Sequence, residues 1–383
     1  MGAPRSRTAE QGEGGSAPAN GELPPWEELE LLEADETIKL HQLRLKREEL
    51  QLAEERKRLE GEKQAQIRLW RRVTLEDRSR FSRQPVLGDR YVVMQLLGRG
   101  GFSEVWKAFD LVEIREVAVK VSAAAVIDSQ EGLPTGTKAH YTRHAHREYK
   151  IHKTMEHPRV VKLHDVFEID SSAMATVQEL CAPGGPGQTQ DLDQHLKAHG
   201  PLPEREAKAI LTQLLSGLRY LHCPEGGRPA IIHYDLKPAN VLFDGAGDVK
   251  ITDFGLSKIV EAEQESGGVE LTSQGAGTLW YLPPECFVMG GAAPRISGKV
   301  DVWSVGVIFF QMLYGQRPFG EGKDQQKVLH DQTMLRATQV DFPPKPAASA
   351  EAKAFIRLCL AHAQEDRPDV RTLCAHPYIR ARK

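Results

Sequence analysis

The segment Gly98-Arg99-Gly100-Gly101-Phe102-Ser103-Glu104-Val105, set between two short β-like runs, constrains this chain more than any other feature. Its glycines let backbone amides approach a phosphate where a Cβ would collide. A dinucleotide-binding reading needs a helix opening straight after the loop and an acid about twenty residues on. Val105, Trp106 and Phe109 predict a second strand instead, so the loop reads as a glycine-rich hairpin over a nucleotide, with Ser103 at the third glycine position.

The residues that follow extend this phosphate chemistry. Val117-Ala118-Val119-Lys120 puts a lysine on the next strand, packed on both sides by its valines, and Glu148, in a polar stretch that reads as helix, is placed to hold that ammonium by an ion pair. Then come His233-Tyr234-Asp235-Leu236-Lys237-Pro238-Ala239-Asn240 and Asp253-Phe254-Gly255. Asn240 and Asp253 offer the oxygen ligands that octahedral magnesium takes alongside phosphate oxygens. Asp235 is then free to accept the proton of an attacking hydroxyl, and Lys237 to neutralise charge on the transferred group. Any one of these motifs alone reads as a turn or a surface loop; the four in this order do not.

Around this core the chain changes texture. Residues 1–25 are Gly, Pro, Ala, Ser and Glu with almost no large apolar side chain, a composition expected to stay disordered. Residues 26–73 hold no proline, one glycine and dense Glu, Lys, Arg, Leu and Gln, which predicts a long charged helix. Leu31, Ile38, Leu45, Leu52 and Leu59 fall seven apart, but the companion row is Asp35, Gln42, Glu49 and Arg56, so half a coiled-coil seam is missing. Self-association through 26–73 and a helix lying on its own domain both remain open. From Tyr91, short β-rich runs (91–97, 116–121, 160–167 and 174–180) give way after Gly187 to helical spacing. Ile210, Leu211, Leu214, Leu215, Leu218 and Leu221 make an amphipathic helix, and 300–314 is apolar nearly all round.

Fifty Lys and Arg against 53 Asp and Glu leave a net charge of -3, so no global basic field argues for direct nucleic-acid binding or an acidic membrane. Five scattered cysteines with no CxxC spacing speak against disulfides and structural zinc. No apolar run nears the roughly 18 residues of a membrane span. A soluble, intracellular protein is expected.

From Tyr91 to Ile379 the chain resembles a eukaryotic protein kinase catalytic domain. The resemblance implies an α+β, two-lobed protein kinase fold, with a small β-rich N-lobe and a larger helical C-lobe, preceded by the charged helix. By that likeness Gly98, Gly100 and Gly101 cover the phosphates of ATP, Lys120 contacts its α and β phosphates with Glu148 as partner, and Asp235 is the catalytic base. Asn240 and Asp253 bind Mg2+; Leu97 and Val105 cover the adenine, Glu179 and Cys181 meet its edge through their backbone, and Asp191 approaches the ribose. Gln178 takes the gatekeeper position. Lys237 and Gly277-Thr278 match the serine/threonine pattern, Glu285 is expected to pair with Arg367, and Asp301 to anchor the catalytic loop. Tyr234 stands where kinases switched by loop phosphorylation carry arginine, with Arg143, Arg147, Thr272 and Ser273 as other parts of such a switch.

Leu271-Thr272-Ser273-Gln274-Gly275-Ala276-Gly277-Thr278 and Trp280-Tyr281-Leu282-Pro283-Pro284-Glu285-Cys286-Phe287 are similar to the Tousled-like kinases. That likeness implies a nuclear enzyme acting on chromatin-assembly proteins such as the anti-silencing histone chaperone, with a cytoplasmic address as the alternative. The competing readings are a catalytically silent pseudokinase, which usually loses one of Lys120, Asp235, Asn240 or Asp253, and a coiled-coil scaffold.

Overall fold

The computed structural model describes residues 25–83, 86–100, 103–123, 149–170, 173–181, 190–225, 228–260, 269–271, 277–288 and 294–380. The expectations placed on the tail, Gly101, Arg143, Arg147, Glu148, Thr272 and Ser273 fall outside those residues. The chain divides into two units, residues 1–69 and 70–383.

One helix runs Pro25–Arg78. Proline suits its first position because the missing N–H has no helical acceptor there. Along its first unit Leu31, Ile38, Leu45, Leu52 and Leu59 are all more than half exposed, and local pairs such as Lys39 with Asp35 (2.8 Å) and Arg58 with Glu62 (3.7 Å) line its surface. The helix continues five residues past the expected end at Val73. The reason lies in the second unit, where Leu75 packs on the small-lobe core and Glu76 accepts the Leu96 amide.

The small lobe is a six-stranded antiparallel sheet in the order β1-β2-β3-β4-β6-β5. Its strands are β1 (Val86–Leu87), β2 (Tyr91–Arg99), β3 (Ser103–Asp110), β4 (Arg115–Ala123), β5 (Leu163–Asp170) and β6 (Ala173–Glu179). Period-two alternation drives Val117, Val119 and Val121 of β4 into one core with Leu96, Trp106 and Val177, which leaves Lys120 on the other face. The expected run from Val160 shortens at its start: Val160 makes an isolated parallel bridge to Ile251 instead, tying the sheet's approach to the large lobe.

The large lobe is built on two helices. In Glu204–His222, Leu211, Leu214, Leu215, Leu218 and Leu221 are buried at helical spacing, each contributing about 2 kcal/mol of transfer free energy. Lys299–Tyr314 is buried on nearly every side. Its Gly306 lets a neighbour come close, since a Cβ there would stand 2.7 Å from the Cys359 Cβ. The buried Arg367 guanidinium forks onto Glu285, at 2.9 and 3.1 Å. Among the described residues no helix is long and apolar enough to cross a membrane.

Candidate active site

The loop holding Asp235 follows a short strand, Ala230–Ile232, and is fixed from behind. Asp301, on the buried first turn of Lys299–Tyr314, accepts the His233 and Tyr234 amides, each at 2.8 Å, and the His222 Nε2–H at 2.7 Å. Burial alone would raise its carboxyl pKa; the His222 hydrogen bond and charge outweigh that and leave it lowered. Tyr234 sits at φ 72°, a left-handed conformation that these bonds hold against its side chain's preference.

That clamp presents Asp235 to a closed set of polar groups. Lys237 Nζ donates to its Oδ2 at 2.6 Å, and Thr278 donates both its amide and its hydroxyl to Oδ1 at 3.0 Å. Lys237 Nζ also reaches Thr278 Oγ1 at 3.0 Å, so lysine, threonine and aspartate form a triangle. Asn240 Nδ2 donates to the Asp235 carbonyl at 2.8 Å, which leaves the amide oxygen as its acceptor for a cation.

Across from it, Lys120 Nζ donates to Asp253 Oδ1 at 3.0 Å, joining the small-lobe sheet to the large lobe. The lysine charge holds the Asp253 carboxyl below the usual carboxylate range, so it is ionised at neutral pH. Asp253 too is left-handed, at φ 68°. The next residue, Phe254, lies between His152 and His233, with ring centres 5.1 and 5.2 Å away. His233 Nε2 is fixed by the Thr252 carbonyl and His152 Nε2 by that of Val161. One ionised carboxylate and one amide oxygen are hard donors of the kind magnesium accepts. Among the described residues no three His, Cys, Asp or Glu side chains gather to hold a metal, so phosphate oxygens and water would complete such a shell.

On the sheet side, Gly98 pairs with Val105 and Val105 with Lys120, while Leu97 and Val105 are half-buried. The Glu179 amide donates to the Lys162 carbonyl at 2.8 Å, so what its backbone can offer a ligand is its carbonyl. Its carboxylate pairs with Lys250 at 2.7 Å. Cys181 is buried, and that burial pushes its thiol up to about 12. Asp191 has a use that the sequence left unassigned: it caps the helix Leu192–His199, accepting from the Gln194 amide at 2.8 Å and from Gln194 Nε2 at 2.6 Å. Gln178 is buried on β6 and donates to Thr176 Oγ1 at 3.4 Å. Sequence reasoning missed the bridging role of Thr278 and the tilted ring cluster of His152, Phe254 and His233, because each joins residues far apart in the chain.

The model of the protein kinase domain family matches residues 91–379. The chain belongs to the protein kinase family. Its kinase relatives include the human serine/threonine-protein kinase tousled-like 2, 50% identical over 352 residues that make up 91% of this chain and 44% of that protein. The mouse serine/threonine-protein kinase tousled-like 1 is 51% identical over 351 residues, 91% of this chain and 44% of the relative. Serine/threonine-protein kinase TOUSLED of Arabidopsis thaliana is 50% identical over 346 residues, 90% and 48%. The chain is thus similar to Tousled-like serine/threonine kinases, as its motifs implied, and spans about half the length of the relatives it matches.

Proposed function

We propose that the chain is an active serine/threonine protein kinase that transfers the γ-phosphoryl group of ATP to a protein hydroxyl. The observation that carries this reading is the Asp235–Lys237–Thr278 triangle facing the Lys120–Asp253 pair. Asp235 Oδ2 is the base that receives the acceptor hydroxyl's proton, while Lys237 offsets charge on the group in transit and Thr278 fixes the carboxylate's orientation. Lys120 orients the phosphates, and Gly98, Gly100 and Gly101 admit backbone close to them. Leu97 and Val105 cover the base, Glu179 and Cys181 meet its edge, and Asp191 borders the ribose. Asn240 and Asp253 would hold a divalent ion, which when bound supplies positive charge against the phosphate oxygens. Little of the chemistry is covalent; positioning supplies the rate. A groove of about 430 Å3 lined by Lys237, Thr278, Trp280, Tyr281 and Leu196 gives the acceptor segment a seat next to Asp235.

By likeness to the Tousled-like kinases, the substrates are chromatin-assembly proteins, the anti-silencing histone chaperone among them, and the address is nuclear. The exposed row from Leu31 to Leu59 supports self-association through 26–73. The test is phosphate transfer from labelled ATP to a histone chaperone and to a generic basic protein, side by side, with light scattering of the same sample. Phosphoserine or phosphothreonine on the chaperone, lost in Asp235→Asn, is expected. A full chain without transfer to either protein overturns the reading and favours a pseudokinase.

A further inference from the structure

β3 places a carboxyl where its pattern calls for hydrocarbon. Glu104, Trp106, Ala108 and Asp110 are its four core-facing residues, and Glu104 is 2% exposed. A buried carboxyl is costly unless hydrogen-bonded. At the far end of the strand, the Asp110 carboxylate is met by a two-pronged Arg90, at 2.7 and 2.8 Å. Glu104, at the end beside the glycine-rich loop, is met by one residue from outside the sheet and two within it. Ser79 Oγ donates to Glu104 Oε2 at 2.6 Å, Trp106 Nε1 donates to the same oxygen at 3.2 Å, and Arg99 Nε stands 3.5 Å from Oε1. Ser79 is itself buried and directly follows the long helix.

A second contact grips the other strand of the hairpin. Glu76 Oε1 accepts the Leu96 amide at 2.7 Å, beside the point where the register of β2 on β3 slips between Leu96 and Gly98. Leu75 and Phe81 pack into the small-lobe core on either side of these polar contacts. Gly98 and Gly100 lie just beyond Leu96 and Leu97, and the Gly100 amide closes on the Ser103 carbonyl at 2.8 Å, next to Glu104. Residues 75–81 therefore hold both roots of the hairpin, one anchor on each strand.

Building on the kinase reading above, we propose that Ser79 and Glu104, with Glu76, are positioning residues that set the glycine-rich hairpin over the nucleotide, making the segment 75–81 part of the nucleotide site although it precedes residue 91. Glycines leave the hairpin little stiffness of its own, so an unanchored loop must be ordered anew each time nucleotide binds, and affinity falls accordingly.

The experiment places a second negative charge against Glu104. In the full chain, Ser79→Asp is expected to weaken Mg-ATP affinity about tenfold, read by titration with a fluorescent ATP analogue. It is also expected to speed amide hydrogen exchange at Leu96 and across 98–105 without nucleotide, while the large lobe stays protected. Ser79→Asp/Glu104→Gln, in which the amide meets the new carboxylate, is expected to restore both readouts to within about threefold of wild type. Ser79→Ala, which only deletes a donor, tests the same contact should the aspartate variant fold poorly, with an affinity loss of about threefold expected. Unchanged affinity and exchange in Ser79→Asp or Ser79→Ala overturns the inference, as does a double variant no better than Ser79→Asp. The exchange readout needs no catalysis, so this outcome is separate from failure of the wild-type chain to transfer phosphate.

Discussion

Tyr234 donates its backbone amide to Asp301 at 2.8 Å while held in a left-handed conformation at φ 72°. The carboxylate that receives it also takes the His233 amide and the His222 ring N–H. The residue before the proposed base is thus kept in a disfavoured geometry by one buried acid. Replacing Asp301 with asparagine leaves one oxygen to serve three donors, and a buried donor without an acceptor costs roughly 1–3 kcal/mol. We expect Asp301→Asn to lower unfolding free energy by about that amount and to reduce kcat more than ATP affinity, since the phosphate-facing groups of the small lobe are untouched. Urea unfolding with steady-state kinetics checks this, and equal kcat would show that Asp235 keeps its place without the clamp.

Asp253→Asn is expected to abolish turnover, by a factor of about a thousand or more, with the fold intact. Its carboxylate is ionised under the influence of Lys120, and an amide offers a cation neither that charge nor a second equivalent oxygen. Lys120→Met should remove transfer as fully, because it takes the ammonium that bonds Asp253 at 3.0 Å. Circular dichroism establishes folding and labelled ATP measures transfer. Activity within about tenfold of wild type in either variant would remove that residue from the proposed mechanism.

What was legible in the sequence and what was not separate along a physical line. The valines at 117, 119 and 121 declare a strand face by period two, and the leucines from 211 to 221 a helix face by period 3.6, because burial acts on neighbours along one element. Lys120, Asp235, Asn240 and Asp253 were legible because their motifs are short and their order restrictive. The bond between Ser79 and Glu104 spans 25 residues and joins two polar side chains with no period to announce it. Thr278 stands 43 residues from the aspartate it touches. The only local sign of the first contact was an acid on the apolar face of β3, a break in pattern that is meaningful once that face is known. The long helix runs on past Val73 for the same reason: Leu75 and Glu76 extend it by tertiary contacts that a helical composition does not encode.

His152 supplies a pH signature. Burial against Phe254 drives its pKa from the ordinary 6.5 down to about 4, outweighing the hydrogen bond to the Val161 carbonyl, which favours the charged ring. The unfolded chain therefore binds a proton between pH 6.5 and 4 that the folded chain refuses, so its contribution to stability is whole above 6.5 and disappears as pH falls through 4. The difference integrates to about 3 kcal/mol. His152→Gln, which keeps a donor for Val161, should flatten the loss of stability across that window relative to wild type. Denaturant melts at intervals from pH 4 to 7 measure it, and parallel curves for the two proteins would mean that His152 titrates as freely folded as unfolded.

The residue beside the proposed base bears on how the enzyme is switched. In kinases controlled by loop phosphorylation, an arginine there pairs with the loop phosphate through a charge-assisted fork and so couples loop order to catalysis. Here Tyr234 is 1% exposed, and the Lys258 ammonium stands 5.2 Å over its ring centre, an aromatic face where the phosphate-binding cation would be. Burial pushes the phenol pKa upward, so the side chain carries no charge at neutral pH. We expect enzyme freed of phosphate to retain activity within about tenfold of the phosphorylated form, with Thr272 and Ser273 as modest modulators. Phosphatase treatment followed by a timed assay of transfer and autophosphorylation is the measurement. A fall of about a hundredfold or more, reversed only when Thr272 or Ser273 regains phosphate, would show that another cation does the work of the missing arginine.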